Sequence, residues 1–314
     1  MGSQKDYSPK NIVSLLPSAT EIVCAIGGEK SLVGRSHECD FPSSVCNLPI
    51  CTKARTSLSA KSKDIDRSVK KLLSEALSIY EVDVTRLEEI KPDLIVTQDH
   101  CEVCAVSRTA VEAALTETLS QSTRIISLTA NDITGIWNDI KRTAEAMGMI
   151  ANGIEIIRGL SQRLDDLKKE TSKIEKRPRV ACIEWTSPLM VAGNWVPELV
   201  LASGGDNLFG VTGTHSPYLN WETLVSADPD VIIAMPCGFD LSRTRTEMAP
   251  LMATPDWPRL SAVQSGAVYI TDGNQYFNRP GPRILDSAEI LAEILHPEYF
   301  NFGYRGVGWE NLEN

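Results

Sequence analysis

A Cys-x-x-Cys pair, Cys101 and Cys104, is the part of this 314-residue sequence that is best suited to chemistry. It follows an apolar run over residues 93–96 that is typical of a buried strand, and it precedes a helical pattern that begins near residue 107. Open α/β sheets bind their ligands in turns of this kind, outside the carboxyl ends of the strands. Two thiols in such a turn can bind a metal, carry out redox chemistry or supply a nucleophile, and they can also form a disulfide with each other.

Further side chains that could bind a ligand or a metal also follow predicted strands. They are His37, Glu38, Cys39, Glu184, Trp185, Cys237, Tyr276, Asn278 and Arg279. Because the strands of such a sheet end at one edge, we expect these side chains and the thiol pair to line a cysteine-rich groove between two halves of the chain. The residues that we assign to ligand binding are Glu38, Glu184, Trp185, Tyr276, Asn278 and Arg279.

The thiols of the predicted groove suggest a bound metal such as zinc or iron. A Cys-x-x-Cys pair supplies half of a zinc site, with sulfur ligands at about 2.3 Å. Cys39 or His37 from the same half of the chain, or Cys237 from the other half, would complete it. A thiolate near His37 would also have a depressed pKa, so Cys101, Cys104 and His37 are the candidates for catalysis. The other cysteines are interpreted as buried apolar residues or loop residues.

The pattern of elements predicts two α/β lobes with central sheets. We expect a lobe over residues 1–148, a connecting helix over 149–177 and a second lobe over 178–314. Apolar positions between 154 and 174 recur at helical spacing, and about 24 helical residues span roughly 36 Å. Residues 43–64 are polar and rich in serine and lysine, and we interpret them as irregular. The fold class is therefore α/β, with Rossmann-like lobes joined by one long helix and the ligand groove between them.

Composition excludes several classes of function. The chain is 42% hydrophobic and 23% charged, and its formal net charge of −10 argues against binding to nucleic acid. No apolar run is long enough to predict a membrane span. We recognise no signal peptide, so we expect a cytoplasmic protein. No Walker loop, Gly-x-Ser-x-Gly or Gly-x-Gly-x-x-Gly motif supports phosphoryl transfer, α/β-hydrolase or dinucleotide chemistry.

Several stretches resemble the class III periplasmic binding proteins, and among them the branch that binds vitamin B12 (cobalamin). They are residues 13–21, 36–40, 98–107, 193–199, 235–240, 278–283 and 294–298. The resemblance covers nearly the whole chain. It implies two α/β lobes joined by a backbone helix, a cobalamin-like or other metal-containing ligand, and an importer as partner. The missing signal peptide argues against the importer as partner.

Three hypotheses therefore remain open. The first is a binding protein that takes a corrinoid or another metal-bearing small molecule in the groove. The second is an intracellular enzyme of the same fold that uses a cysteine nucleophile or a thiolate-bound metal. The third is a scaffold whose thiols hold zinc structurally, which we rank last because its ligands would come from separate strand ends in a groove.

Overall fold

The computed structural model describes residues 8–55, 57, 60–74, 79–98, 109, 111, 112 and 123–313. Contacts divide the chain into two compact units. The first unit comprises residues 1–60, 67–130 and 134–159, and the second comprises residues 61–66, 131–133 and 160–314. Within the described residues no helix is long and apolar enough to cross a membrane.

The first half of the chain alternates strands and helices. In chain order these are β1 (Ile12–Ser14), α1 (Pro17–Ile26), β2 (Leu32–Arg35), β3 (Thr52–Ala54), α2 (Ser62–Ser74), β4 (Tyr80–Val82), α3 (Val84–Ile90), β5 (Leu94–Gln98), β6 (Arg124–Leu128), α4 (Ile133–Ala146) and α5 (Ile150–Thr171). The main sheet is parallel in the order β2-β1-β5-β6. All five residues of β5 are buried, as expected for a central parallel strand covered on both faces.

A second, antiparallel pair of strands forms where the sequence is interpreted as irregular. β3 pairs with β4, and Thr52 lies opposite Val82. The interpretation of residues 43–64 as irregular is therefore wrong for Thr52–Ala54. A three-residue strand has too short a pattern to be recognised alone, and its pairing partner lies almost thirty residues further along the chain. This pair matters because it brings Thr52 and Tyr80 close to the residues that follow β2.

The second half of the chain repeats the alternation. Its elements are β7 (Arg179–Thr186), β8 (Leu189–Val191), α6 (Val196–Ala202), β9 (Asp206–Asn207), α7 (Trp221–Ala227), β10 (Val231–Ala234), α8 (Leu241–Glu247), α9 (Ala249–Met252), α10 (Ser261–Gln264), β11 (Val268–Thr271), α11 (Ile284–Leu295) and β12 (Trp309–Asn311). The sheet order is β12-β11-β10-β7-β8, with β9 beside β7.

Three parallel strands, β7, β10 and β11, form the centre of this sheet. Their buried side chains, among them Ile183, Ile232 and Ile270, belong to one apolar core. Because the three strands are parallel, their carboxyl ends meet at one edge. The residues at this edge are 184–186 at the end of β7, 235–240 after β10 and 272–279 after β11. The α/β class predicted from the sequence is confirmed.

Candidate functional site

The carboxyl ends of β1 and β2 carry a cluster of hydroxyl, thiol and imidazole groups. β1 ends at Ser14, and the segment 36–40 follows β2. Thr20 Oγ1 lies 2.8 Å from Ser14 Oγ and 3.0 Å from Cys39 Sγ. Cys39 is only 1% exposed. The sulfur is therefore a buried group in contact with a neutral hydroxyl.

Thr52 determines which tautomer His37 adopts. The Thr52 hydroxyl donates to Ser36 Oγ at 2.9 Å, so its oxygen is an acceptor toward the imidazole. His37 Nδ1 lies 2.8 Å from that oxygen, and the His37 backbone N–H donates to it at 3.1 Å. Nδ1 therefore carries the hydrogen, and Nε2 has a free lone pair. Nε2 is buried and has no hydrogen-bond partner among the described residues.

Glu38 is held by a tyrosine of β4. Tyr80 Oη donates to Glu38 Oε1 at 2.9 Å, and the Tyr80 ring lies 5.5 Å from the His37 imidazole. Burial, and secondly the nearby Arg35, lowers the pKa of His37 below its ordinary 6.5, so the imidazole is neutral at pH 7. The sequence analysis missed Thr52 and Tyr80 because nothing in the spacing of residues 37, 52 and 80 indicates that they meet.

The second unit presents an aromatic cluster at the ends of β7 and β10. The Trp185 ring lies 5.1 Å from the Phe239 ring, and its Nε1 donates to the Ser187 carbonyl at 3.1 Å. The Arg243 guanidinium lies 3.6 Å from the centre of the Phe239 ring. Trp185 is half-buried and Phe239 is buried. A half-buried indole supported by a second ring and a nearby cation is suited to stacking on a flat ligand.

Glu184 also leaves the end of β7, and Ser216 determines its position. Ser216 Oγ donates to Glu184 Oε2 at 2.7 Å and accepts from the Gly193 N–H at 3.0 Å. Gly193 leaves little room for any side chain, because a Cβ there would lie 2.3 Å from the Thr214 carbonyl oxygen. Glu184 as a residue is only partly buried.

The residues after β11 form a loop that is stabilised largely by its own polar side chains. Asn278 Nδ2 donates to the Met235 and Gly273 carbonyls, which joins this loop to the end of β10. Arg279 is 5% exposed and donates to Asn274 Oδ1 at 3.1 Å. The Tyr276 ring packs edge-on against Tyr304. Asn278 thus supports the loop. That Tyr276, Asn278 and Arg279 contact a ligand stays a prediction.

Comparison with known proteins identifies the family. The sequence profile described as periplasmic binding protein matches residues 12–275. The chain belongs to the periplasmic binding protein family.

Relatives extend over nearly the whole of this periplasmic binding protein. An uncharacterized ABC transporter substrate-binding lipoprotein, YvrC of Bacillus subtilis, is 24% identical over 93% of this chain and 82% of its own length. A vitamin B12-binding protein of Vibrio parahaemolyticus is 23% identical over 90% of this chain and 88% of its own length. A periplasmic heme binding protein of Pseudomonas aeruginosa has the same fold, with a TM-score of 0.70 at 18% identity, covering 93% of this chain and 94% of that one.

The predicted thiol groove of this family member is not assembled by the residues that the structure describes. Cys101 and Cys104 lie outside them. Cys39 is buried beside Thr20, whereas Cys237 is exposed. Within the described part of the chain, no group of three or more histidine, cysteine or acidic residues could hold a metal ion. The thiolate-bound metal stays a prediction that depends on the Cys-x-x-Cys pair.

Proposed function

We propose that the protein is a solute-binding protein whose ligand is a corrinoid or another metal-bearing macrocycle such as haem. Membership of the periplasmic binding protein family supports the binding role. The named ligands of two relatives, vitamin B12 and heme, support the class of ligand. Both are flat rings with a metal at the centre, which distinguishes them from most small solutes.

The observation that carries the ligand class is the aromatic cluster of Trp185, Phe239 and Arg243. Both of the other residues contact Phe239, whose ring lies 5.1 Å from the Trp185 ring and 3.6 Å from the Arg243 guanidinium. An apolar face beside a guanidinium suits a ring whose edge carries amide or carboxylate groups. The partly buried Glu184 adds an acceptor at the same sheet edge for ligand N–H groups.

A macrocyclic ligand of this kind requires few metal-binding side chains from the protein. The macrocycle itself supplies four nitrogen ligands to its metal, so the protein needs to provide one axial donor at most. A free cation would instead require a cage of several side chains, which the described residues do not form. The hypothesis of an enzyme with a cysteine nucleophile depends on Cys101 and Cys104 and stays a prediction.

Equilibrium titration with cyanocobalamin and, separately, with ferric haem tests the proposal. Binding is read from the ligand's visible absorbance and from quenching of tryptophan fluorescence. We expect saturable binding of at least one of the two ligands with one molecule per chain. The absence of binding of both ligands at high micromolar concentration would contradict the proposed ligand class.

A further inference from the structure

Arg243, the cation of the aromatic cluster, has a carboxylate on either side of it along α8. Asp240 caps the start of this helix, and its Oδ1 accepts from the Arg243 N–H at 2.8 Å. Glu247 lies four residues after Arg243, and residues with this spacing are neighbours on a helix surface. Burial lowers the pKa of Arg243, and the charges of Glu247 and then Asp240 act against this change. One cation and two anions give this part of the second unit a net negative charge.

The Glu247 carboxylate is tied to the end of β7 by a buried serine. The Ser62 N–H donates to Glu247 Oε2 at 3.1 Å, and Ser62 Oγ lies 3.1 Å from Thr186 Oγ1. Ser62 and Thr186 are both buried, and residues 61–66 belong to the second unit. Because Thr186 directly follows Trp185, these contacts hold the Glu247 carboxylate at the sheet edge that carries the Trp185 ring.

A mixed set of charges of this kind distinguishes amides from carboxylates. An amide has N–H donors for a carboxylate and a carbonyl oxygen for a guanidinium, whereas an ionised carboxylate only accepts hydrogen bonds. A ligand carboxylate would be attracted by Arg243 but repelled by Asp240 and Glu247. Glu184, directly before Trp185 in β7, adds a third negative charge at the same edge. The arrangement therefore favours a ligand whose edge is polar and uncharged.

We propose that Glu247 is a specificity-determining residue, which makes the aromatic cluster select macrocycles with amide edges over macrocycles with carboxylate edges. The proposal rests on the proposed function, because it narrows the ligand class stated there. Glu247 acts through its charge, which offsets the attraction of Arg243 for an anion and provides an acceptor for amide N–H groups. Corrinoids with amide side chains meet this requirement, whereas haem carries two carboxylates.

The test compares two corrinoids that differ by one charge. Cyanocobalamin carries amides at the edge of its ring, and its monocarboxylic derivative has one of these amides hydrolysed to a carboxylate. Titration followed by visible absorbance measures both dissociation constants. We expect the wild type to bind the amide form about tenfold more tightly than the carboxylate form. This preference should shrink at high ionic strength, because salt screens charges that are partly exposed.

Two variants should change the preference for the amide form in opposite directions. Glu247→Gln keeps an acceptor for the Ser62 N–H but removes the charge, and it should reduce the preference to about threefold. Arg243→Gln removes the cation and should increase the preference to about thirtyfold. General damage to the fold would weaken the binding of both forms and leave their ratio unchanged. Thermal unfolding of each variant shows whether the fold is retained.

Asp206→Asn is the matched control, because it removes a carboxylate from the other end of β7. Asp206 lies opposite Arg179, the first residue of this strand. Trp185 is near the end of the same strand, roughly 20 Å away at ~3.3 Å per residue. A charge at this distance is largely screened, so the preference of Asp206→Asn should equal that of the wild type.

Failure of the specificity role and failure of the proposed function give different results. Three results would contradict the role of Glu247: equal affinity of the wild type for the two corrinoids, an unchanged preference in Glu247→Gln, or binding of ferric haem without binding of cyanocobalamin. In each of these cases the proposed function stands as long as cyanocobalamin or haem binds. If neither binds, the proposed function fails, and the specificity role fails with it.

Discussion

Cys39 Sγ lies 3.0 Å from Thr20 Oγ1, in a part of the first unit from which water is excluded. This contact joins the segment after β2 to α1. The sequence analysis assigns Cys39 to a metal site at a groove surface, but in this structure the sulfur occupies an interior position.

The burial of the thiols predicts which cysteines react. In folded protein treated with iodoacetamide, Cys46 and Cys237 should react first among the cysteines that the structure describes, because both are exposed. Cys51 and Cys182 should react very slowly, since they are buried and burial raises their pKa to about 11 and about 12. Cys39 should also react slowly. Peptide mass spectrometry over time measures each site.

A denatured sample provides the control for this experiment, because every cysteine should then react at a similar rate. Modification of Cys39 in folded protein as fast as Cys237 would show that its buried position is wrong.

Replacement of Thr20 by valine tests the polar cluster at the end of β1. Thr20→Val keeps the shape of the side chain but removes the hydroxyl that contacts Ser14 and Cys39. We expect the free energy of unfolding to fall by about 1–2 kcal/mol, because two buried polar atoms, Ser14 Oγ and Cys39 Sγ, lose their contact with the Thr20 hydroxyl. Urea unfolding followed by circular dichroism measures it. The matched control is Thr246→Val on the exposed face of α8, which should change stability by less than about 0.5 kcal/mol.

Trp185 should contribute to ligand binding more than any exposed aromatic residue elsewhere. Trp185→Ala removes the half-buried ring that lies against Phe239. We expect the affinity for the corrinoid or haem to fall by roughly tenfold, corresponding to about 1.4 kcal/mol of lost stacking. Titration by absorbance measures it. Tyr299→Ala, an exposed aromatic after α11, is the control. If Trp185→Ala and the wild type bind the ligand with equal affinity, the aromatic cluster is not part of the binding site.

Asp272 predicts a pH dependence of stability at the end of β11. Burial raises its pKa above the ordinary 3.8, although N–H groups of Gln275 and Asn274 donate to it. As the pH rises above 3.8, the unfolded state releases the Asp272 proton while the folded state still holds it. The free energy of unfolding therefore falls as the pH rises from the pKa of the unfolded state to the raised pKa of the folded state. The free energy of unfolding of Asp272→Asn should depend less on pH than that of the wild type, and at pH 7 it should be at least as large.

Chemical unfolding at a series of pH values between about 3.5 and 7 measures the effect of Asp272. Asp256→Asn is the control. It removes a carboxylate that forms a salt bridge with Arg259, whose side chain is 80% exposed, and it should leave the slope of the free energy of unfolding against pH unchanged. If the free energy of unfolding fell more steeply with rising pH in Asp272→Asn than in the wild type, the predicted direction of the effect would be wrong and the burial of the carboxyl group would be contradicted.

The positions of single residues on strand ends were predictable, but their partners were not. Glu184 and Trp185 follow a long apolar strand pattern, and the structure places them at the carboxyl end of β7. Ser216 and Phe239, which contact them, lie in separate loops more than thirty residues away. Periodicity describes one element at a time, so it contains no information on which loops meet at a sheet edge.

The sequence by itself determined the α/β class and membership of the periplasmic binding protein family, because both depend on local apolar patterns and short motifs that lie along the chain. Only the tertiary structure decided what each candidate side chain contacts. Cys39 is in the interior, in contact with Thr20 of α1, and a short strand pair brings Thr52 to Nδ1 of His37. Such contacts join residues that are distant in sequence, and they form only when the elements pack.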